Sequence, residues 1–383
     1  MHARALTGRE QAGSIAAAIL LAGMVGLGLS LTLPLLSIEM ERMGVSGTVI
    51  GLNTAIAGLA SILIIPFVPR IAARVGIGRL LALSILLTGL SFLGFRLFFD
   101  LLAWFPIRFL FSAALGTLFV LSEYWIAASA PPERRGLVMG VYATVLALGF
   151  SAGPALLGLF GTSGWPPYLA GGLIFLLAGL PLAFARHLLP RLDAGSGHSL
   201  LGYLTALPMA TAAGAGFGAV EAGGFALLPV YGMRHGLDAE TAALLISAVA
   251  LGNVALQVPI GLLADRVSKS RLLLAIALLG LAGTFAIPLA QQAGPWPLYA
   301  VLFLWGGIVG GLYTVGLAHL AARFTGRDLA GANAAFLLLY NVGLMLGPPI
   351  IGLGLDWSMR WGLSLSVALF LLPLLAAASA RRD

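Results

Sequence analysis

Twelve runs of about 20 apolar residues, almost free of charge, recur along this chain and decide what it can become. At about 1.5 Å per residue, a helix of that length crosses the hydrocarbon core of a bilayer. Backbone groups in lipid must bond internally, so a spanning chain is helical or a closed barrel. These runs are too long and too unalternating for barrel strands. The expected spans are 15–36, 48–68, 79–99, 103–127, 137–160, 168–186, 203–230, 240–262, 271–290, 297–321, 331–353 and 361–379. Only 9% of the residues are charged, against roughly 25% in soluble domains. Such a chain cannot cover a water-facing surface, so its solvent is lipid.

Charge placement sets the expected orientation. Arg4 and Arg9 precede the first run without a cleavage signal after a short core, so a first span is expected and not a removed leader. With that end inside, alternate connections carry Arg70, Arg74 and Arg79, then Arg134 and Arg135, Arg186 and Arg191. Further along they carry Arg266, Lys269 and Arg271, then Arg323 and Arg327, and Arg381 and Arg382. The opposite connections hold only Arg42, Arg96, Arg234 and Arg360. Both termini are therefore expected in the cytoplasm of a multi-pass protein, most simply in a bacterial inner membrane. The net charge of +7 is topogenic on this reading and implies no nucleic acid. With no cysteine, disulfides, thiolate metal sites and iron–sulfur clusters are excluded.

The chain repeats itself. Pro69-Arg-Ile-Ala-Ala-Arg-Val-Gly-Ile-Gly-Arg-Leu-Leu81 is matched half a chain later by Gly261-Leu-Leu-Ala-Asp-Arg-Val-Ser-Lys-Ser-Arg-Leu-Leu273. Gly149-Phe-Ser-Ala-Gly-Pro-Ala-Leu-Leu-Gly158 is echoed by Gly343-Leu-Met-Leu-Gly-Pro-Pro-Ile-Ile-Gly352. The longest polar connection lies between these halves. Residues 1–186 and 201–383 are thus expected to form two pseudo-symmetric six-helix bundles joined by a cytoplasmic linker, 187–200. Duplication of this kind places a binding site between the repeats near the membrane midplane.

These motifs resemble the major facilitator superfamily over the whole chain. Gly261–Arg271 is similar to that family's loop signature Gly-x-Leu-Ala-Asp-Arg-x-Gly-Arg, with Ser268 at a position that prefers Gly. Gly140, Gly149, Gly153-Pro154 and Gly158 resemble the fifth-helix signature of the proton antiporters, although Leu157 replaces one Gly. Arg108 stands where the family has a fourth-helix Arg, with Ser112 in place of a usual Gly. The resemblance implies alternating access by two rocking bundles. It implies a cytoplasmic latch in which Asp265 accepts from the helix start around Arg135 to Val138 and Arg266 meets a carboxylate. Arg74 and Arg271 belong to the same loop signatures, but the first-half counterpart of Asp265 is Ala73. It also implies a fifth helix that lies close against the eighth and slides, its glycines sharing a face and Pro154 allowing a kink. Alternative readings are plain topogenic charge for the loops and ordinary small-residue packing for the glycines.

Charges inside spans are costly and mark function. Glu221, within Gly216-Phe-Gly-Ala-Val-Glu-Ala-Gly-Gly224, is the clearest. Burial disfavours a carboxylate's charged form, so Glu221 suits proton coupling, or else a static hydrogen bond inside the bundle. Arg108 is expected to attract an anionic substrate group, to tune a carboxylate, or to reach outward. Glu123 is expected to pair with Arg74 or Arg79 at the cytoplasmic face, and His319 to be a packed residue. Met24, Asn253, Trp305, Tyr313, Tyr340 and Asn341, with Asn53, Tyr142, Gln257 and Asn333, suggest a mostly apolar cavity. That chemistry favours a weakly charged amphipathic substrate.

The expected function is proton-coupled export of small organic molecules by a monomer in contact with lipid, with no cofactor or metal. An uptake symporter or uniporter is the near alternative. A membrane enzyme is disfavoured because no nucleophile, metal or nucleotide-binding pattern appears. A scaffold in a transporter fold is the third class.

Overall fold

A computed structural model describes residues 7–131, 134–190, 208–324 and 326–379. No strand occurs among them. The helices run Gly8–Arg42, Gly47–Ile64, Ile77–Leu97, Leu101–Ser129, Arg135–Phe160 and Pro166–Leu177, then Pro208–Arg234, Ala239–Arg266, Lys269–Ala293, Pro295–Ala321, Gly326–Trp357 and Gly362–Ser379. They are called the first to twelfth spans here. With Gly47–Val75 and Pro166–Leu188 each taken as one continuous helix, eleven are long and apolar enough to cross a membrane, and Gly362–Ala377 is a shorter apolar helix. Leu83, Leu90, Leu173, Phe184 and Leu289 stand exposed along them, a surface suited to acyl chains and not to water.

Turn chemistry sets most boundaries; several differ from the expected ones, with the first span ending six residues later and the eleventh beginning five residues earlier, and two of the differences have local causes. The first span begins at Gly8, seven residues early, because Thr7 and Glu10 form a capping box. Glu10 Oε2 accepts from the Thr7 amide at 2.8 Å while Thr7 Oγ1 accepts from the Glu10 amide at 3.3 Å. The second span does not stop at residue 68. It passes through a 3-10 turn, Ile65–Phe67, into a helix over Val68–Val75. Pro66 and Pro69 fall at first-turn positions, where a missing N–H costs little. Asp100 caps the fourth span on the Ala103 amide, and Asp238 caps the eighth on the Thr241 amide. The sixth span continues from Pro166–Leu177 into Gly179–Ala185, and the end of the expected linker, 191–200, lies outside the described residues.

The chain packs as two compact units. One comprises Met1–Thr32 with Leu63–Gly195, the other Leu33–Ile62 with Ser196–Asp383. The stretch 33–62 therefore groups with the second unit, although the sequence repeat assigns it to the first half.

In the first unit the fifth span lies on the first. A Cβ at Gly149 or Gly153 would overlap the backbone of the first span at Gly23, Leu27 and Leu31, and Ser30 Oγ donates to the Gly149 carbonyl at 3.1 Å. The resemblance assigned this glycine face to the eighth span; the neighbour that needs Gly149 and Gly153 is the first. Gly140 and Gly158 have nothing within 4 Å of such a Cβ, so only half of that motif serves a close approach here. An aromatic core of Phe92, Phe95, Trp104, Phe111, Tyr168 and Phe175 fills the space among the third, fourth and sixth spans, with ring centroids 5.5–6.2 Å apart.

In the second unit the eleventh span lies on the seventh in the same manner. A Cβ at Gly343 or Gly347 would overlap the backbone at Ala215 and Ala219, and one at Gly218 would strike the Tyr340 carbonyl. The two copies of the Gly-x3-Gly-Pro repeat thus make equivalent contacts, fifth on first and eleventh on seventh. Small residues let helix backbones touch where lipid supplies no driving force for apolar burial. The second span meets the eleventh through Gly47, Gly51 and Gly58, and the tenth meets the eighth through Gly306, Gly307 and Gly310.

Trp305 links the tenth span to the ninth. Its indole N–H donates to Thr284 Oγ1 at 2.9 Å and to the Gly280 carbonyl at 3.1 Å, and the residue is 3% exposed. It was expected to offer soft surface to a cavity; the structure instead buries it between helices, because its polar edge finds partners there. Trp305→Phe keeps the ring and loses the donor, so a loss of about 0.5–1.5 kcal/mol is expected, read as a lowered melting temperature in detergent.

Candidate proton and substrate site

Glu221 sits on the seventh span one turn after Gly218. Because Gly218 admits the eleventh span's backbone at Tyr340, the two side chains meet, and the Tyr340 hydroxyl donates to Glu221 Oε2 at 2.5 Å. Aromatic rings fix Tyr340 from behind. Phe217 stacks on it at 6.1 Å, and Tyr313 meets it edge-on at 5.7 Å. Tyr313 in turn packs on Phe217 at 5.6 Å and on Phe336 at 5.4 Å. Phe336 belongs to a fully buried cluster with Ala210, Leu320 and Ala332. Glu221 as a residue is half-buried. The arrangement is a titratable group held by one oriented phenol and backed by a rigid apolar wall.

A second polar line runs from the eighth span to the tenth. Thr314 Oγ1 donates to Gln257 Oε1 at 2.5 Å, next to Tyr313 in sequence. One turn away, Asn253 packs against Gly310, and its Oδ1 is buried without a hydrogen-bond partner. A buried unsatisfied carbonyl is costly, and it marks a place where water or a ligand donor would be stabilised. Asn341 is partly exposed and donates its amide to the Leu337 carbonyl of its own helix at 2.8 Å.

Arg108 belongs to the first unit, on the fourth-span face that also carries Trp104 and Phe111. It is 2% exposed, so it stays inside the protein and does not reach outward. Its Nε has no hydrogen-bond partner, and among the described residues no carboxylate lies within ion-pair distance. Met24 lines an apolar groove between the first and sixth spans with Ala17, Leu20, Leu177, Pro181 and Phe184. His319 is buried at the end of the tenth span.

The expected loop latch divides differently. Glu123 is exposed and accepts from the Tyr142 hydroxyl at 2.7 Å. The pairing with Arg74 or Arg79 is therefore replaced by a phenol from the fifth span, and neither Arg forms an ion pair among the described residues. Asp265, Arg266 and Arg271 are exposed at the end of the eighth span and the start of the ninth, and Arg74 is exposed on the Val68–Val75 helix. The side chain of Arg135, where the latch partner was expected to begin, lies outside the described residues.

Sequence reasoning missed one cluster altogether. Arg234, counted only as an outer charge, pairs with Glu41 and Asp356. The only available signal was a carboxylate near the end of two other spans.

Known proteins resemble this chain in sequence and in fold. The model described as Major Facilitator Superfamily matches residues 18–306 and 235–383. The MFS-type transporter YfkF of Bacillus subtilis is 25% identical over 86% of this chain and 85% of its own. The MFS-type transporter YE1530 of Yersinia enterocolitica is 28% identical over 74% of each chain. Among solved structures, a bacterial homologue of the human lysosomal transporter Spinster superposes with a TM-score of 0.76, at 15% identity, covering 98% of this chain and 96% of its own. A variant of the nucleoside transporter NupG superposes with a TM-score of 0.77, at 14% identity, covering 96% and 98%. At these identities the structural matches speak to the fold alone.

Proposed function

The chain belongs to the major facilitator superfamily, and from that premise we propose that it exports small amphipathic organic molecules in exchange for protons by alternating access. It is a membrane transporter and not an enzyme. The observation that carries the coupling proposal is the Glu221–Tyr340 hydrogen bond against the wall of Phe217 and Tyr313. On this proposal the carboxylate binds one proton in one state of the cycle and releases it in the other. Tyr340 can donate to the ionised carboxylate or accept from the neutral acid, so it accommodates both states without repacking.

The substrate class follows from what surrounds the site. Glu221, Asn253, Gln257, Tyr313, Tyr340 and Asn341 supply few fixed charges and much aromatic surface, which suits a weakly charged amphiphile. Arg108 meets an anionic or strongly polar substrate group on this proposal. A buried guanidinium with an unpartnered Nε is costly alone and gains most from a ligand that replaces the lost hydration. Export, the inner membrane, the two six-helix halves at 1–186 and 201–383, the cytoplasmic termini and a monomeric state are parts of the same proposal.

The first test is a melting screen of the purified protein against small organic amphiphiles, since a ligand that binds only the folded state raises the melting temperature. A hit is expected to lose affinity at least about tenfold, ~1.4 kcal/mol, in Arg108→Ala. A hit whose affinity is unchanged in both Arg108→Ala and Tyr313→Ala would remove the proposed substrate site.

A further inference from the structure

The ends of four spans meet in an ion cluster within the second unit. Arg234 is the last residue of the seventh span. Its Nε and Nη2 donate to the two oxygens of Glu41, near the end of the first span, at 2.8 and 3.0 Å. Its Nη1 donates to Asp356 Oδ1, in the last turn of the eleventh span, at 3.0 Å. Asp356 also accepts from the backbone amides of Gly47 and Thr48 at 2.8 Å each and from Thr48 Oγ1 at 2.7 Å. Those amides open the second span, where helix N–H groups lack partners of their own and favour an anion. Two-pronged guanidinium–carboxylate pairing is the strongest geometry available to such charges. The three charged side chains retain only 17–24% of their exposure, so the cluster is partly desolvated.

Beneath the cluster, glycines of the second span bring its backbone close against the eleventh span. Gly47 lies on Gly352, Gly51 on Pro348 and Gly58 on Met345. We propose that Arg234 is a clasp that holds the ends of the first, second and eleventh spans against the seventh, and that its release opens this face during the transport cycle. The proposal rests on the alternating-access reading above.

The absence of native cysteine makes the test direct. Asn53→Cys places a thiol at a fully buried position of the second span. Asn333→Cys places one toward the other end of the eleventh span, about 35 Å from Asp356 along the helix. Each is labelled with a water-soluble maleimide in nanodiscs. In Arg234→Gln, the rate at 53 is expected to rise at least tenfold while the rate at 333 falls at least threefold, because opening one end closes the other. Glu41→Gln serves as a second variant if Arg234→Gln does not purify as a folded protein, and the same opposed changes are expected. Rates that rise at both positions, or change at neither, overturn the clasp by giving the cluster a purely structural role. The unmodified background separates the two readings. If position 53 never labels with Arg234 intact, the faces do not interconvert and alternating access itself fails. If labelling proceeds but ignores Arg234, only the clasp fails.

Discussion

Glu221→Gln is expected to abolish uphill, proton-driven movement of substrate while leaving downhill exchange intact. Gln preserves the size of the side chain and still accepts from the Tyr340 hydroxyl, so the contact at Glu221 Oε2 is largely retained. What it removes is the one carboxylate of the seventh span, and with it the proton that the coupling proposal assigns there. With a ligand from the melting screen loaded into proteoliposomes, an imposed pH gradient should drive flux at least about tenfold more slowly, a loss of ~1.4 kcal/mol of coupling. Exchange of labelled for unlabelled ligand without a gradient should continue near the original rate. If the variant keeps full gradient-driven flux, Glu221 is a static hydrogen-bond acceptor and the proton travels elsewhere. If both fluxes vanish, the residue supports binding and not coupling.

Gly343→Leu is expected to cause the largest loss of stability. Even a Cβ there would overlap the Ala215 carbonyl and the Ala219 amide, and neither backbone can yield without moving a whole span. Overpacking of this kind costs about 1–3 kcal/mol and sometimes more, so the melting temperature should fall by roughly 2–12 °C, at about 2–4 °C per kcal/mol. Separation of the seventh and eleventh spans would also draw Tyr340 away from Glu221, so ligand affinity should fall with stability. Gly140→Leu is the matched control. Nothing lies within 4 Å of a Cβ at Gly140, and little change is expected although both glycines belong to conspicuous sequence motifs. Equal melting temperatures for the two variants would refute the close-approach account.

The architecture was legible because lipid imposes it. A run of apolar residues long enough to cross a bilayer admits few alternatives; two of the boundary differences trace to local chemistry, at the Thr7–Glu10 capping box and the Pro66–Pro69 turn, while the end of the first span and the start of the eleventh extend beyond the apolar runs that marked them. Glu221 was legible for the same reason, since a carboxylate in an apolar run is conspicuous. Its partner was not. Tyr340 could be named as polar surface, but the contact depends on Gly218 lying against the eleventh span, 119 residues of separation closed by packing. Trp305 and Glu123 went astray in the same way: each found a partner on a neighbouring helix that spacing along one helix does not encode. The Arg234 cluster was the least legible, because it joins positions 193 and 122 residues apart. Each of its charges, taken singly, looks like an ordinary charge at the end of a span.

The seam of glycines between the second and eleventh spans has a consequence for how such a protein can change over generations. Every amino acid other than glycine adds at least one carbon, so each missense change at Gly51 or Gly352 inserts atoms where two main chains already touch. No conservative exchange exists at these positions. Variation there is open only to paired changes that shift both helices together, whereas the exposed Leu52 and Leu353, next to them in sequence, are free to drift among apolar residues.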